Sequence, residues 1–383
     1  MSQLHAEVGI AQLSKDGEEL CGDKVVLTQT PKGNIIVLSD GLGSGVKANI
    51  LATLTTKIAS SMLQRGIPLV DVVSTIADTL PVCQQRKIAY STLHIIKISP
   101  AGLATIVEFD CPNSFLIRDG KVIPFPVEKK NISGKIVGVG VRQLRENDIV
   151  VAVSDGVIHA GVGGLLKLGW GWKGIAGQLR QICAQESSAS YISEQIINCC
   201  QGYYLGLPGD DSTVVTVKLR KARRLTLLTG PPVNPADDRE VVKRFMRKSG
   251  KKIVSGGTTA NIVSRELGKS LLVDLSCYNE KIPPIAHVKG IDLVTEGILT
   301  LNAVLERIND SELVYVDKQF DGATLLTRML LEADYIEIFA GKAVNPAHQN
   351  PNFPFEINIK SQVLSKLQAE LQAKGKHVNI EWF

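Results

Sequence analysis

The sequence predicts two domains of different fold class, an α+β domain over residues 1–221 and a smaller α/β domain with a mainly parallel sheet over residues 225–383. In the first part, groups of strand-forming runs alternate with groups of helical runs, and short turns join neighbouring strands. In the second part, single apolar strands that end in glycine or another small residue alternate with helical stretches. The basic segment KLRKARR lies between the two patterns, so the boundary is predicted near residue 222.

The elements of the first domain are predicted in chain order from these patterns. Residues 46–64 are apolar on most sides and lack Gly and Pro, which predicts a helix buried on more than one side, and residues 69–80 predict a second helix behind a proline. A long helical region is predicted between the last two strands. The predicted strands are HAEVGIAQL, DKVVLTQT, GNIIVLSD, STLHIIKIS, ATIVEFD, the two arms of the hairpin SFLIRDGKVIPF, VVAVSDGV and DDSTVVTVKL.

The second domain follows a simpler order. The predicted strands are RLTLLTG, KKIVSGG, SLLVDLS and YIEIFAG, and the predicted helices between several of them are DDREVVKRFMRKS, TTANIVSREL and TEGILTLNAVLERI. A repeated strand, glycine turn and helix is typical of a parallel α/β layer.

Composition excludes several classes of protein. The net charge of +5 is divided between 21 Lys+Arg against 19 Asp+Glu up to residue 220 and 22 against 19 after it, so neither part has the basic excess expected of a nucleic-acid-binding domain. The sequence has neither a membrane-spanning apolar run nor a secretory signal. Seven cysteines without a CxxC pair suggest reduced thiols, and we therefore expect a cytoplasmic protein.

Four acidic sites in the first domain lie where predicted strands begin or end. Asp40 and Asp155 each follow a run of strand-forming residues, whereas Asp23 and the pair Asp210–Asp211 come directly before one. A carboxylate at the edge of a packed sheet is held by rigid backbone and stays open to solvent. Several such carboxylates repel one another strongly unless a cation lies between them.

Oxygen ligands alone select hard cations such as Mg²⁺ or Mn²⁺. The glycines after Asp40 let the backbone approach closely, so the Gly41 carbonyl is a further candidate ligand. The alternative is ordinary turn chemistry, for which Asp-Gly is a common pair. Asp119-Gly120 serves as an internal control, because it lies in a predicted hairpin without the preceding serine and the glycine-rich continuation. Four sites in this order favour the metal site.

The segments GD, SDGLGSGVKA, NSFLIRDGKV, LRENDIVVAVSDGV and GDDSTVV together resemble the metal-dependent serine/threonine protein phosphatases of the type 2C superfamily. The branch with the most similar pattern is the bacterial one that contains sporulation stage II protein E and the stress-response regulators of anti-sigma-factor antagonists. The resemblance covers residues 1–220. It implies a β-sandwich flanked by helices and a site for two Mn²⁺ or Mg²⁺ ions.

The resemblance also assigns roles to single residues. It implies that Asp40 bridges the two ions, that Gly41 provides a carbonyl ligand and that Asp23 lies beside the second ion. Asp155 and Asp210 would complete the first site, and Asp211 would support Asp210 more than it binds directly. No histidine matches a general-acid motif, and no arginine lies near Asp23 to hold substrate phosphate. Lys47 is a conceivable substitute, and a solvated helix lysine is the simpler interpretation.

The activity implied is hydrolysis of phosphoserine or phosphothreonine on a bacterial regulatory protein, such as one like an anti-sigma-factor antagonist, by direct attack of a hydroxide that bridges the two ions. Asp40, Asp155 and Asp210 are the predicted catalytic residues. Residues 46–64 and 69–80 correspond to regulatory switch helices of the family. The alternative is a catalytically weak phosphatase-fold scaffold or sensor, and the complete set of aspartates favours the enzyme. Formation of a homodimer is left open.

The second domain carries a duplicated tetrapeptide. LLTGPPVNPADD and IFAGKAVNPAHQ share an apolar strand, a glycine and then Val-Asn-Pro-Ala, and VSGGTTANIV is a third junction of strand, glycine and helix. Such loops meet at the carboxyl ends of parallel strands, where ligands bind. The sequence therefore predicts one pocket for a small anionic ligand or a partner protein. Binding of a small ligand there is expected to alter the phosphatase activity. The candidate residues of the pocket are Asn234, Gly256, Gly257, Thr258 and Asn345. Turn formation by Asn-Pro and helix capping by Thr258 are the alternatives.

Overall fold

The computed structural model describes residues 4–30, 32–79, 91–185, 187–275, 282–309, 321–343 and 355–383, with the side chains of 355–358 left out. The chain divides into two compact units, Met1–Lys221 and Ala222–Phe383. In the described residues, no helix is both long and apolar enough to cross a membrane.

The first unit contains two antiparallel sheets. Its strands are β1 (Leu4–Leu13), β2 (Asp23–Thr30), β3 (Gly33–Asp40), β4 (Leu93–Ile98), β5 (Leu103–Phe109), β6 (Phe115–Arg118), β7 (Lys121–Pro124), β8 (Glu128–Ile132), β9 (Lys135–Gln143), β10 (Ile149–Val153) and β11 (Ser212–Lys221). One sheet has the order β1-β11-β10-β6-β7 and the other the order β2-β3-β4-β5-β9-β8. The helices are α1 (Gly45–Gln64), α2 (Leu69–Thr79), α3 (Asp155–Ile158), α4 (Gly171–Ile182) and α5 (Ala189–Tyr203).

The two sheets pack face to face and form a sandwich. Buried residues of β3 to β5, such as Ile36 and Ile106, share one apolar cluster with Val150 and Val215 of the other sheet. The outer face of the first sheet is covered by α4 and α5, and that of the second by α1 and α2. The α+β prediction and the helix-flanked β-sandwich are confirmed. Strand β8 had no detectable signal, because four of its five residues are exposed and do not alternate.

Helix α1 differs from its prediction in burial. Ala48, Ala52 and Ala59 are buried against the sheet, but Val46, Ile50 and Leu54 are each more than half exposed. The prediction that α1 is buried on more than one side is therefore wrong for the first unit considered by itself. The small alanines bring the helix close to the sheet, and the larger apolar residues at i, i+4 and i+8 form an exposed stripe.

The second unit has one seven-stranded sheet. Its strands are β12 (Arg224–Thr229), β13 (Lys251–Ser255), β14 (Leu272–Asp274), β15 (Ile285–His287), β16 (Leu293–Thr295), β17 (Tyr335–Ala340) and β18 (His377–Trp382), in the order β14-β15-β16-β13-β12-β17-β18. After a 3₁₀ turn at Pro235–Asp237, the helices are α6 (Asp238–Arg247), α7 (Gly257–Leu267), α8 (Ile298–Arg307), α9 (Gly322–Glu332) and α10 (Phe355–Ala373).

Five strands of this sheet, from β16 to β18, are parallel, which confirms the mainly parallel α/β layer. Helices α6 and α7 cover one face and α8, α9 and α10 the other. The strand predicted over 270–276 is shorter than predicted and does not join the parallel part of the sheet. Only Leu272–Asp274 form a strand, which pairs antiparallel with β15, and Leu272 and Val273 are largely exposed at the sheet edge.

Candidate functional site

Asp23 and Asp40 face each other across two neighbouring strands. Asp23 begins β2, Asp40 ends β3, and the strand register pairs them directly. Residues paired in this way have Cβ atoms roughly 5 Å apart, so the two carboxyl groups are held close together by backbone geometry. The backbone of Asp40 is fixed on its other side by Thr92, whose hydroxyl accepts from the Asp40 N–H at 2.9 Å and whose N–H donates to the Asp40 carbonyl at 2.8 Å.

The later aspartates come from the other sheet. Asp155 follows β10 and begins α3, while Asp210 and Asp211 directly precede β11, the strand next to β10. The Ser154 hydroxyl accepts from the backbone N–H of Thr213 at 2.8 Å and so joins the two segments. The structure therefore brings acidic residues of both sheets to one place. Their charges are close enough to raise the pKa values of several of these carboxyl groups.

Burial and mutual repulsion raise the pKa values of Asp23, Asp40 and Asp210. Burial raises the pKa of Asp23 to about 7, against the opposing effect of the nearby Thr213 and Ser154 hydroxyls. The pKa of Asp40 is raised to about 10, first by burial and then by the charges of Asp23 and Asp155. Burial, followed by the charge of Asp155, also raises the pKa of Asp210. A cation among these groups would offset their repulsion and favour the charged carboxylates.

Two of the carboxyl groups have buried oxygens without partners. Both carboxylate oxygens of Asp23 and Oδ2 of Asp211 are buried and accept no hydrogen bond in the described residues. Oδ1 of Asp211 accepts from the backbone N–H of Lys15 at 3.0 Å. An unpaired buried carboxylate is costly, so these oxygens indicate a missing positive ligand. The donor set is oxygen only and therefore fits Mg²⁺ or Mn²⁺.

No three His, Cys, Asp or Glu side chains in the described ranges are already arranged around a common metal position. Asp155 nevertheless lies close enough to Asp40 to contribute to the raised pKa of the Asp40 carboxyl group. Carboxyl groups this close repel one another when both are charged.

The glycine after each key aspartate is required by packing. A Cβ at Gly41 would lie 2.0 Å from the Ala48 carbonyl oxygen on α1, and a Cβ at Gly156 would lie 2.0 Å from the Asp211 carbonyl oxygen. These glycines allow close approach of backbone to backbone, which positions the flanking carboxyl groups.

We therefore expect Gly156→Ala to lower both the stability of the first unit and the rate of the phosphatase reaction that the sequence resemblance implies. Overpacking of this kind costs about 1–3 kcal/mol, and here the obstacle is backbone that also holds Asp210 and Asp211. Urea unfolding and phosphopeptide hydrolysis measure the two effects. Gly177→Ala on α4 is the matched control, because nothing lies within 4 Å of its Cβ position. Equal stability of the two variants would show that the contact at Gly156 is not restrictive.

Lys15 is a cation at the site that the sequence patterns did not reveal. It is half-buried, and its charge lies close enough to lower the pKa of Asp210. The pairing of β1 with β11 sets Leu13 opposite Ser212 and so places Lys15 beside the aspartates. The only possible signal was this long-range pairing. Lys47, the substitute considered from sequence, is exposed on α1.

The structure also shows the environment of the control residue Asp119 and of two histidines. Asp119 is exposed at the turn between β6 and β7 with φ of 50°. His159 is exposed. His94 is fully buried, and its Nε2 is hydrogen-bonded to the Ser114 hydroxyl at 2.8 Å, while burial lowers its pKa to about 4.

The second unit has a cavity of about 470 Å³ at the carboxyl edge of its sheet. Gly256, Gly257 and Thr258 line it. Asn234 does not belong to the lining residues; it is exposed, and its amide oxygen accepts from the Ala236 N–H at 3.1 Å, which is ordinary turn capping. Asn345 lies outside the described residues.

Comparison with known proteins agrees with the geometry of the first unit. Residues 30–220 match the family model described as stage II sporulation protein E. Stage II sporulation protein E of Priestia megaterium is 28% identical over 222 residues, which are 56% of this chain and 36% of that protein. The chain therefore spans about a third of the length of this curated relative.

Two solved structures from Bacillus subtilis are similar to the chain. The phosphatase domain of the cell fate determinant SpoIIE is 20% identical, with 58% of this chain and 95% of that chain covered and a TM-score of 0.44. A structure of the PP2C phosphatase domain with a fragment of the regulatory domain of SpoIIE is 20% identical, with 58% and 64% covered and a TM-score of 0.49.

Residues 30–220 of the first unit are thus similar to the family of stage II sporulation protein E, and the similarity extends over just under half of the chain.

Proposed function

We propose that the first unit is a Mn²⁺- or Mg²⁺-dependent protein phosphatase that hydrolyses phosphoserine or phosphothreonine on a regulatory partner protein. The observation that supports it most is the convergence of aspartates from both sheets with buried, unpartnered oxygens on Asp23 and Asp211. An oxygen-only set that repels itself binds hard cations best. The family match to residues 30–220 supports the same class of reaction.

In this proposal, Asp23, Asp40, the Gly41 carbonyl, Asp155 and Asp210 hold two ions, and Asp211 orients the segment around Asp210. The bound ions would supply an activated water and offset charge on the phosphoryl group. The chain's own contribution is positioning: β2, β3, β10 and β11 are rigid strands, so the carboxyl groups need little rearrangement before they bind. No side-chain nucleophile is required.

The proposal is tested by phosphate release from three peptides of one sequence that carry phosphoserine, phosphothreonine or phosphotyrosine, each with Mn²⁺, Mg²⁺ or EDTA. We expect release from the first two peptides in the presence of either ion and background release in EDTA. Release that is independent of metal, or preference for phosphotyrosine, would contradict the proposal. Absence of release from any candidate phosphoprotein would favour the scaffold alternative.

Lys15 is proposed to hold the substrate phosphate. We expect Lys15→Met to raise the KM for a phosphopeptide about tenfold with a smaller change in kcat, because loss of one charge-assisted hydrogen bond costs about 1.5 kcal/mol. Steady-state kinetics measure this split. Lys47→Met is the matched control on α1 and is expected to be silent. If Lys47→Met raises the KM and Lys15→Met does not, the substrate approaches from the α1 side instead.

A further inference from the structure

The second unit is a doubly wound sheet with a crevice at its switch point. The parallel strands run in the order β16-β13-β12-β17-β18, and the helices change face between β12 and β17. The loops after these two strands start side by side, since the Ala343 N–H donates to the Pro231 carbonyl at 3.2 Å. In such sheets ligands bind at this edge. The cavity of about 470 Å³ lies there and is large enough for a small organic ligand.

One wall of the cavity is the start of α7. Its N-cap is Gly256, which provides no side chain, and its first turn contains no acidic residue. The N–H groups of Gly257, Thr258 and Thr259 have no acceptor within the helix, because they are its first residues. The helix dipole makes this end positive, and the arrangement suits a phosphate.

Thr259 gives independent evidence for a ligand. The residue is only 2% exposed and lines the cavity, and its hydroxyl has no hydrogen-bond partner in the described residues but is not among the fully buried atoms, so it reaches the cavity. A polar group on a residue this buried is normally paired, so this hydroxyl is available to a ligand in the cavity. Lys360 of α10 adds a positive charge to the same cavity, where its Nζ donates to the Gly341 carbonyl at 3.1 Å.

A carboxylate and an apolar surface also line the cavity. Glu296 follows β16 and lies beside the start of α7, because the Gly256 N–H donates to the Thr295 carbonyl at 2.9 Å. Its carboxylate accepts from the Leu299 N–H at 3.2 Å and so caps α8. Such a carboxylate repels phosphate but accepts hydrogen bonds from sugar hydroxyls. Trp382 and Ile359 also line the cavity and provide apolar area for a ring.

We propose that this cavity binds a nucleotide. Its phosphate lies at the N–H groups of Gly257 to Thr259, next to the Thr259 hydroxyl and Lys360. Its ribose hydroxyls contact Glu296, and its base packs on Trp382. A phosphate site, a hydroxyl acceptor and an apolar wall within one cavity of this size match a nucleoside monophosphate or diphosphate better than a bare anion.

The test is calorimetric titration of the full chain with the 5′-monophosphates and 5′-diphosphates of adenosine and guanosine. Inorganic phosphate and the two free nucleosides are titrated in parallel, and all solutions contain EDTA so that the aspartate site does not contribute. We expect at least one nucleotide to bind at least ten times more tightly than phosphate or its nucleoside. Equal affinity for inorganic phosphate, or no binding by any nucleotide, would overturn the proposal.

Variants locate the ligand. Gly257→Val places a side chain in open space beside the α7 N-terminus and is expected to weaken binding at least tenfold without lowering the melting temperature. Thr259→Val, which keeps the shape of the side chain, and Lys360→Gln are expected to weaken binding several-fold. Lys366→Gln, on the exposed side of the same helix, is the matched control and should not change affinity. Unchanged affinity in all three cavity variants would show that the nucleotide binds elsewhere.

Tryptophan emission gives a second readout of position. The chain has three tryptophans, of which only Trp382 lines the cavity. Nucleotide binding is expected to change the emission of the wild-type chain and to leave that of Trp382→Phe unchanged, while the variant still binds in the calorimeter. An undiminished emission change in Trp382→Phe would contradict the placement of the base.

Discussion

Asp40→Asn is expected to lower Mn²⁺-dependent hydrolysis of a phosphopeptide or of para-nitrophenyl phosphate by more than about 100-fold. Loss of a residue that only supports a metal ligand lowers activity by up to about 100-fold, and loss of a ligand itself should cost more. Asp40 faces Asp23 across β2 and β3, and the charges of Asp23, Asp155 and Asp210 all raise its pKa. Asp155→Asn and Asp210→Asn should have similar effects.

The same substitution should not harm the metal-free fold. Asparagine has nearly the same shape, and it removes a buried carboxyl group that is repelled by its neighbours. In EDTA, we therefore expect the melting temperature of Asp40→Asn to equal or exceed that of the wild type. Asp119→Asn, at the exposed turn after β6, is the control for hydrolysis and should be nearly silent. Substantial activity in Asp40→Asn would show that Asp40 is not a ligand.

Removal of divalent ions is expected to abolish hydrolysis reversibly. Oxygen-only sites lack the soft ligands that retain transition metals, so dialysis against EDTA should reduce the rate to background and added Mn²⁺ or Mg²⁺ should restore it. Binding to the folded state alone also stabilises it. At about 100 times the dissociation constant the gain is about 2.7 kcal/mol, which corresponds to a rise of about 5–10 °C in melting temperature.

Asp40→Asn separates specific binding from a general effect of salt, because its melting temperature should not rise with Mn²⁺. Metal analysis of the protein before dialysis completes the test. Tightly held zinc would contradict an oxygen-only site and would direct attention to the cysteines and histidines. A metal-dependent melting temperature without metal-dependent hydrolysis would favour the scaffold alternative over the enzyme.

Two of the strands beside the candidate ligands, β3 and β10, are predictable from sequence because they are buried on both faces. Six consecutive residues of β3 and all five of β10 are buried, which gives uninterrupted apolar runs that end at Asp40 and just before Asp155. The meeting of the two sheets is a different matter. It depends on pairing between distant segments, and only the family resemblance indicated it.

The role of the glycines shows a second limit of the sequence. Glycine after Asp40 is interpreted from sequence as freedom for the backbone to approach a metal, whereas the structure adds a steric reason, the carbonyl of Ala48. Lys15 gives no local signal at all, because it lies in a polar loop and reaches the site only through the pairing of β1 with β11.

The second unit shows the converse case. The repeated Val-Asn-Pro-Ala predicts two loops at one edge of a parallel sheet, and the residues at the start of both loops do lie together. The asparagine side chain itself is a poor guide, since that of Asn234 is used by its own turn. The hydroxyl of Thr259, which belongs to a buried residue and reaches the cavity, can be recognised only in three dimensions.

The pairing of β1 with β11 has a consequence for the synthesis of the first unit. Leu4 pairs with Lys221, so the sheet that contains the first strand of the unit is complete only after the last strand has been synthesised. Contacts between such distant segments slow folding to the order of milliseconds to seconds. Asp210 and Asp211 are also the last acidic residues of the site to leave the ribosome. A nascent or prematurely terminated chain therefore carries Asp23, Asp40 and Asp155 without Asp210 and Asp211, and the acidic site is complete only when synthesis of the whole unit is finished.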